Sequence, residues 1–201
     1  LLGMHLEGYG CPGMSAVDYG LACLELEAAD SGIRSLASAQ GSLAMFAIHE
    51  YGSEEQRQHW LPGMAAGELI GCFGLTEPDA GSDPGSMRTA AVRDGDDYVV
   101  NGQKVFISRA EHSDLMILLV RTTPREQCVK HTDGMSVLLV DMREAVGHGL
   151  TIKPIATMMN HASTELFFDD LRVPARNLIG AEGQGFRCIL DGLNAERILI
   201  A

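Results

Sequence analysis

The chain has 201 residues, a hydrophobic fraction of 46%, a charged fraction of 21% and a formal net charge of −12. This length allows one or two domains with a buried core, and the composition is ordinary for a globular protein. The acidic balance disfavours a nucleic-acid partner, because phosphate contacts need clustered Lys and Arg, but it still permits an anionic ligand in a local cationic pocket.

The cysteines are odd in number, widely scattered and without a C-x-x-C pair: Cys11, Cys23, Cys72, Cys128 and Cys188. This pattern favours free thiols in a reducing compartment over disulfides or a zinc site. The histidines are equally dispersed, so no metal site is expected. No apolar run reaches the roughly 20 residues that span a bilayer, and no targeting segment is visible. Because the chain starts without Met and stops inside an apolar-periodic run, we expect a fragment of a longer polypeptide.

The first 70 residues are predicted to be helical. Apolar residues recur with a 3.6-residue period over 15–29 and again over 35–51. Ser53 and Gln56 then match a capping box for a third helix, which is predicted to end near 61–63.

From about residue 71 the apolar period changes to two, which predicts strands. A strand at 98–100 is predicted to follow the turn-rich Asp94-Gly95-Asp96-Asp97, and Asn101-Gly102, a strong hairpin signal, is predicted to join it to a strand at 103–108. Further strands are predicted at 89–93, 115–121, 135–141, 150–155 and 164–171, and a helical pattern resumes at 186–201. Helices, then strands, then a helix indicate an α+β fold with segregated layers rather than alternating βαβ units.

The segment Phe73–Asp83, FGLTEPDAGSD, lies where helices give way to strands. It offers two hydroxyls and a glycine-containing loop whose backbone N–H groups can donate, which suits an acceptor-rich planar ring or a phosphate. The residues by themselves equally allow a helix-to-sheet connector whose Gly and Pro only shape the turn.

Four motifs resemble those of the acyl-CoA dehydrogenase family, in the family's order and with compatible spacing. They are LTEPDAGSD at 75–83, NGQKVFIS at 101–108, FDDLRVP at 168–174, and GQGF at 183–186 followed by LNAER at 193–197. The resemblance covers essentially the whole chain and implies that family's α+β fold. Its parts would be amino-terminal helices over 1–70, a middle β-domain of antiparallel strands over 71–178, and the start of a carboxy-terminal helical bundle over 179–201.

The resemblance implies FAD as the cofactor, held by Phe73, Leu75, Thr76, Gly81, Ser82, Phe106, Ile107 and Ser108. Thr76 would lie near the pyrimidine edge of the flavin, Ser82 near the flavin or CoA phosphates, and Ser108 near flavin N5. Family members usually have Trp where this chain has Phe106, so stacking survives but an indole donor is lost. Strand alternation alone would also place Phe106 in an ordinary sheet core.

The family oxidises an acyl-CoA thioester at Cα–Cβ: a carboxylate removes the α-proton while the β-hydrogen leaves as hydride to flavin N5. The resemblance places the base either at Glu196, where Arg197 would orient it, or beyond Ala201. A solvated Glu196 paired with a neighbouring Arg is the simpler alternative.

Glu27, Arg34 and Ser35 resemble the glutaryl-CoA dehydrogenase branch, in which an Arg at position 34, supported by the Glu at 27 and the Ser at 35, meets the distal carboxylate of the acyl chain. A surface Arg near a helix N-terminus is the alternative. From about Leu115 the chain resembles other bacterial-type acyl-CoA dehydrogenases, and glutaryl-type enzymes lack Glu at position 196, so the acyl group stays open. The substrate contacts that the resemblance implies are Arg34, Ser35, Ser82, Asn194 and Arg197.

The resemblance further implies an electron-transfer flavoprotein as electron acceptor, a homodimer or homotetramer, and a bacterial cytoplasmic or mitochondrial matrix location. An acyl-CoA oxidase and a non-catalytic acyl-CoA- or flavin-binding module are the alternatives. Family members complete the FAD site with the carboxy-terminal bundle and a neighbouring subunit. We therefore expect these 201 residues alone to bind FAD weakly and to be inactive.

Overall fold

The computed structural model describes residues 1–158 and 162–200, and side chains through residue 194. Helices come first, a mostly antiparallel sheet follows, and a helix ends the described chain, so the predicted α+β order is confirmed. A two-stranded hairpin of β1 (Glu7–Gly8) and β2 (Cys11–Pro12) precedes the helices.

The amino-terminal helices are α1 (Ala16–Ala29), α2 (Ser31–Ser38), a π-helix (Ala39–Met45), α3 (Phe46–Tyr51) and α4 (Glu54–Ala66). Asp30 separates α1 from α2 because it is extended, and its carboxylate accepts from the backbone N–H groups of Gly32 and Ile33.

The capping box at the start of α4 is present: Gln56 N donates to Ser53 Oγ at 3.2 Å, and Ser53 N donates to Gln56 Oε1 at 2.8 Å. The helix nevertheless passes its predicted end and continues through Pro62 to Ala66, before the left-handed Gly67. Leu61 and Met64 are buried in the core on either side of that proline, and this packing outweighs the lost backbone hydrogen bond.

The π-helix replaces part of what the periodicity predicts as one continuous helix. Its Gln40 side chain is fully buried and reaches the first strand of the sheet. Gln40 Oε1 accepts from Gly71 N at 2.8 Å, and Gln40 Nε2 donates to Leu69 O at 2.8 Å. These two bonds tie the helical region to the sheet at the point where the sheet begins.

The sheet has eight strands in the order β10-β7-β6-β4-β5-β9-β8, with β3 parallel to β6 on the same edge of β6 as β4. Its strands are β3 (Gly71–Gly74), β4 (Ala90–Asp94), β5 (Asp97–Ser108), β6 (Leu115–Arg121), β7 (Met135–Asp141), β8 (Leu150–Ile155), β9 (Ser163–Pro174) and β10 (Leu178–Ile179). The short helix α5 (Met142–Ala145) follows β7, and α6 (Gly185–Ile200) follows the sheet.

Strand β6 separates two hydrophobic cores. Its odd positions 115–119 pack with α3, α4 and α6, and its even positions 116–120 pack in a second core formed mainly by strands. A strand buried on both faces has no polar side to alternate with, which is why 115–120 is a continuous apolar run.

The predicted hairpin at Asn101-Gly102 is wrong. The chain turns instead at Gly95-Asp96, within the turn-rich stretch 94–97 that the sequence indicated, where Asp94 pairs with Asp97, and Asn101-Gly102 lies inside β5. A Cβ at Gly102, whose φ is +148°, would lie 2.6 Å from the Cα of Thr89, so glycine is needed here for a close approach.

Asn101 instead stabilises a bulge in the neighbouring strand. Strand β9 has one residue more than β5 in this stretch, and its Asp170 has a φ of +51°. Asp170 N donates to Asn101 Oδ1, and Asn101 Nδ2 donates to Asp170 Oδ1, both at 2.9 Å.

Candidate functional site

The connection between β3 and β4, residues 75–89, is called here the junction loop. Both strands lie along one edge of β6, so the chain leaves the sheet after Gly74 and returns at Ala90. Val105 N of β5 donates to Thr76 O in this loop at 2.9 Å. The tertiary structure thus places two of the sequence motifs, 75–83 and 101–108, side by side.

A buried ion pair lies beneath this contact. Lys104 Nζ donates to Glu77 Oε1 at 2.8 Å and to Leu75 O at 2.9 Å, and the two side chains are 0% and 6% exposed. Glu77 also accepts from the backbone N–H groups of Arg88 at 2.6 Å and Thr89 at 3.0 Å. One carboxylate and one ammonium therefore connect both ends of the junction loop with β5.

The two pKa values shift in the same direction for different reasons. Burial lowers the pKa of Lys104 to about 8, although Glu77 acts in the opposite sense. Burial alone would raise the pKa of the Glu77 carboxyl, but the Lys104 ammonium and the N–H donors outweigh it, and that pKa is lowered. The pair is consequently charged at neutral pH.

Lys104 and Glu77 were not identified as site residues from the sequence. A signal for Lys104 was present. It occupies an even-numbered position of β5, as do Tyr98 and Val100, whose side chains point into the second core. A lysine at an inward position of a strand needs a buried partner. Nothing local in the sequence indicates that Glu77, 27 residues earlier, is that partner.

Phe106 lies on a second bulge, where β5 has one residue more than β9. Its φ is +59°, a strained conformation for an aromatic residue, and its side chain is 67% exposed. The alternative of an ordinary core residue is therefore excluded. The bulge presents a flat apolar ring at the surface next to the junction loop.

The neighbours of Phe106 point differently. Ile107 is buried in the second core, and its carbonyl accepts from Thr164 Oγ1 at 2.8 Å, so its side chain is used for packing. Ser108 is half-buried and pairs with Ser163 of β9. Any ligand contact of Ile107 is thus confined to its backbone, whereas Ser108 retains part of its surface.

The other predicted site residues of the segment 73–83 fall into two groups. Phe73 and Leu75 are half-buried and pack against the first core. Gly81 and Ser82 are exposed, directly after buried Ala80. The loop is therefore anchored at its start and exposed around Ser82.

Arg34 is a mostly buried cation rather than a surface arginine, with a side chain only 14% exposed. Its Nε donates to Glu27 Oε2 at 2.6 Å, as predicted, and its Nη1 donates to Ser38 Oγ at 3.1 Å. Ser35, the other predicted neighbour, is half-buried on the same helix and its carbonyl accepts from the Ser38 hydroxyl. Ser38 was not identified from the sequence.

Helix α6 crosses the π-helix that follows Arg34. A Cβ at Gly192 would lie 2.7 Å from Ser42 O of the π-helix, and Tyr51 Oη of α3 donates to Asp191 Oδ2. Asn194 is exposed on α6. The predicted base Glu196 and its neighbour Arg197 follow on this helix, and their side chains lie outside the described residues.

Over 1–158 and 162–200, no group of three or more His, Cys, Asp or Glu side chains is arranged to hold a metal ion. Within the same residues, no helix is both long and apolar enough to cross a membrane.

Residues 1–68 match the family described as acyl-CoA dehydrogenase, N-terminal domain, and residues 72–171 match acyl-CoA dehydrogenase, middle domain. The chain belongs to the acyl-CoA dehydrogenase family. The predicted resemblance is thereby confirmed, and the two matches meet where the helices give way to the sheet.

Individual acyl-CoA dehydrogenases cover nearly all of the chain. It is 37% identical over 196 residues to the short-chain specific acyl-CoA dehydrogenase of Clostridium acetobutylicum, which is 96% of this chain and 50% of that protein. A glutaryl-CoA dehydrogenase from Mycobacterium smegmatis in complex with FADH2 is 46% identical, with a TM-score of 0.88 over 99% of this chain and 49% of that one.

An acyl-CoA dehydrogenase from Geobacillus kaustophilus has a TM-score of 0.91 and 36% identity over 99% of this chain and 52% of that one. The chain thus spans about half the length of the family members that it matches.

Proposed function

We propose that this chain supplies the flavin-facing surface of an FAD-dependent acyl-CoA dehydrogenase that oxidises an acyl-CoA thioester at Cα–Cβ. The observation that carries the proposal is the hydrogen bond from Val105 N to Thr76 O, because it joins the junction loop to β5 one residue before the exposed Phe106. A loop rich in polar groups next to an exposed aromatic ring fits a flat heterocycle with a polar edge.

The residues present fit FAD, which when bound would supply the acceptor for the β-hydride. In our proposal the Phe106 ring flanks the isoalloxazine, and the Thr76 and Ser108 hydroxyls bond its polar edge. The exposed Gly81 and Ser82 lie toward the phosphates. Phe73, Leu75 and Ile107 support this surface from the core side.

Glu196 is the proposed base for the α-proton, with Arg197 and Asn194 orienting base and thioester. Its position on α6 supports this role, since α6 packs at Gly192 against Ser42 of the π-helix, which directly follows the helix that contains Arg34. A carboxylate in water is too weak a base for an α-proton of a thioester. Hydrogen bonds to the thioester carbonyl, together with the exclusion of water, would reduce the difference in proton affinity between the thioester α-carbon and the carboxylate.

Arg34 is the proposed contact for a distal carboxylate, which makes a dicarboxylic acyl-CoA such as glutaryl-CoA the first candidate substrate. Glu27 and Ser38 fix the plane of the guanidinium, and a fixed fork is suited to a carboxylate. The likeness to a glutaryl-CoA dehydrogenase supports this choice. Glu196 argues against a standard glutaryl-CoA dehydrogenase, so monocarboxylic thioesters also belong in the test.

For the whole protein we propose that electrons pass to an electron-transfer flavoprotein and that a homodimer or homotetramer completes the site. A bacterial cytoplasmic or mitochondrial matrix location follows from the same assignment. An acyl-CoA oxidase would share this surface and differ in allowing oxygen to reach the reduced flavin.

The test is anaerobic mixing of the full-length, FAD-loaded protein with glutaryl-CoA, isobutyryl-CoA and butyryl-CoA while the flavin absorbance is followed. We expect rapid bleaching with at least one thioester, and a rate about 10²- to 10⁴-fold lower in Glu196→Gln. Glu68→Gln, which changes an exposed carboxylate near the end of α4, is the matched control.

Absence of bleaching with every thioester would refute the dehydrogenase proposal. Unchanged bleaching in Glu196→Gln would move the base to another residue. Rapid reoxidation of the reduced protein in air would identify an oxidase.

A further inference from the structure

The second half of β5 lies beyond the end of its partner strand. Pairing between β4 and β5 ends at Ala90 and Asn101, so residues 102–108 continue without a β4 neighbour. The junction loop occupies this side of β5, and Val105 N to Thr76 O is the backbone hydrogen bond that joins them. One such bond leaves a loop free to pivot, so other contacts must define its position.

Lys104 makes the contacts on either side of Thr76. Its ammonium donates to Leu75 O, one residue before Thr76, and to the carboxylate of Glu77, one residue after it. Phe106 lies only two residues beyond Lys104 on the same strand. A single buried group thus relates the position of Thr76 to that of the Phe106 ring.

Glu77 extends this arrangement to the other end of the loop. Its carboxylate accepts from the backbone N–H groups of Arg88 and Thr89, and Thr89 Oγ1 donates in turn to Gln103 O at 3.1 Å. One ion pair therefore connects both the start and the end of the junction loop to β5.

Stability alone does not account for such a pair. Replacing a buried ion pair by apolar residues of similar volume is often neutral or stabilising, because two charges have lost their hydration. A buried pair with directional bonds to three backbone groups, at the two ends of the loop, does, however, select one loop geometry over others.

We propose that Lys104 is a positioning residue of the flavin site, which together with Glu77 sets where Thr76 lies relative to the Phe106 ring. The inference rests on the proposed function for the identity of the ligand. The loop geometry itself is a property of this chain.

The test variant is the double substitution Lys104→Met with Glu77→Gln, which removes both charges and leaves no unpaired buried charge to prevent folding. Gln56→Leu is the matched control. It also removes a buried donor to backbone carbonyls, of Arg176 and Leu178, and it lies away from the junction loop.

Amide hydrogen exchange of the flavin-free protein reports on the loop directly. We expect the Val105, Arg88 and Thr89 amides to exchange about tenfold faster or more in the double variant than in the Gln56→Leu control. Equal exchange at these three amides in both variants would overturn the positioning role.

The FAD-loaded full-length protein provides the second readout. We expect the double variant to shift the flavin absorption spectrum and to weaken FAD binding about tenfold, and the control to leave both unchanged at comparable loss of stability. A spectrum and affinity that match the wild type would also overturn the inference. A wild-type protein that binds no FAD would instead overturn the proposed function, and exchange at Val105 would still decide whether Lys104 positions the loop.

Discussion

Arg34 and Glu27 form an ion pair of 2.6 Å across the break between α1 and α2, seven residues apart in the chain. The break at Asp30 makes the pair possible, because two helices that meet there bring the acid of one over the base of the other. Ser38, one turn along α2, holds the same guanidinium from the other side.

Arg34→Lys keeps the charge but removes the planar fork, so it separates the two substrate classes. We expect kcat/KM for glutaryl-CoA to fall about 10- to 150-fold, the equivalent of one charge-assisted hydrogen bond, with a small change for butyryl-CoA. Arg172→Lys, at an exposed arginine paired with Asp94 and Asp97, is the control. Equal losses for both thioesters would remove Arg34 from carboxylate recognition.

Phe106→Gly should change stability and ligand binding in opposite directions. The Phe106 ring is largely exposed, so little burial is lost, and glycine relieves a left-handed conformation that costs about 1–2 kcal/mol. We expect the free energy of unfolding to stay level or rise by about 1 kcal/mol while FAD affinity falls. Denaturant unfolding and flavin titration measure the two effects. A large loss of stability would show that the ring packs in the fold instead.

The acid limb of the stability curve should depend on Glu77. Its pKa is lowered from the ordinary value of 4.5, so its contribution is present above pH 4.5 and is lost as the pH falls through the lower, folded value. Glu77→Gln is expected to cost about 3 kcal/mol at pH 7, since it leaves Lys104 without its counter-charge. Urea unfolding between pH 7 and pH 3.5 should show this difference shrinking below pH 4.5. A difference that is constant with pH would contradict the lowered pKa.

Gly102→Ala should be among the most disruptive glycine substitutions of the sheet. The added methyl group would lie 2.6 Å from Thr89 Cα on a residue with φ of +148°, so overpacking and backbone strain add to about 3 kcal/mol. Gly95→Ala is the comparison, because its φ is +61° and nothing lies within 4 Å of the new Cβ. There we expect about 1 kcal/mol by the same unfolding assay. Similar costs at the two positions would argue against the close approach.

Local sequence patterns were sufficient to predict much of the fold. The predicted strands at 115–121, 135–141 and 150–155 have the bounds that the structure shows, and the capping box at Ser53 is present. Strand periodicity and helix capping depend on residues within one or two turns of each other, so a single stretch of sequence contains the information. The family motifs could also be recognised from the sequence, because each is a short continuous string.

The contacts that shape the candidate site belong to the tertiary structure alone. Whether Asn101-Gly102 turns the chain depends on how closely Thr89 approaches, and whether Phe106 points outward depends on one extra residue relative to β9. Lys104 acquires its role only when folding brings Glu77 to it from 27 residues away. Strand register and the pairing of buried charges are set between segments distant in the chain, so the residues around each position do not determine them.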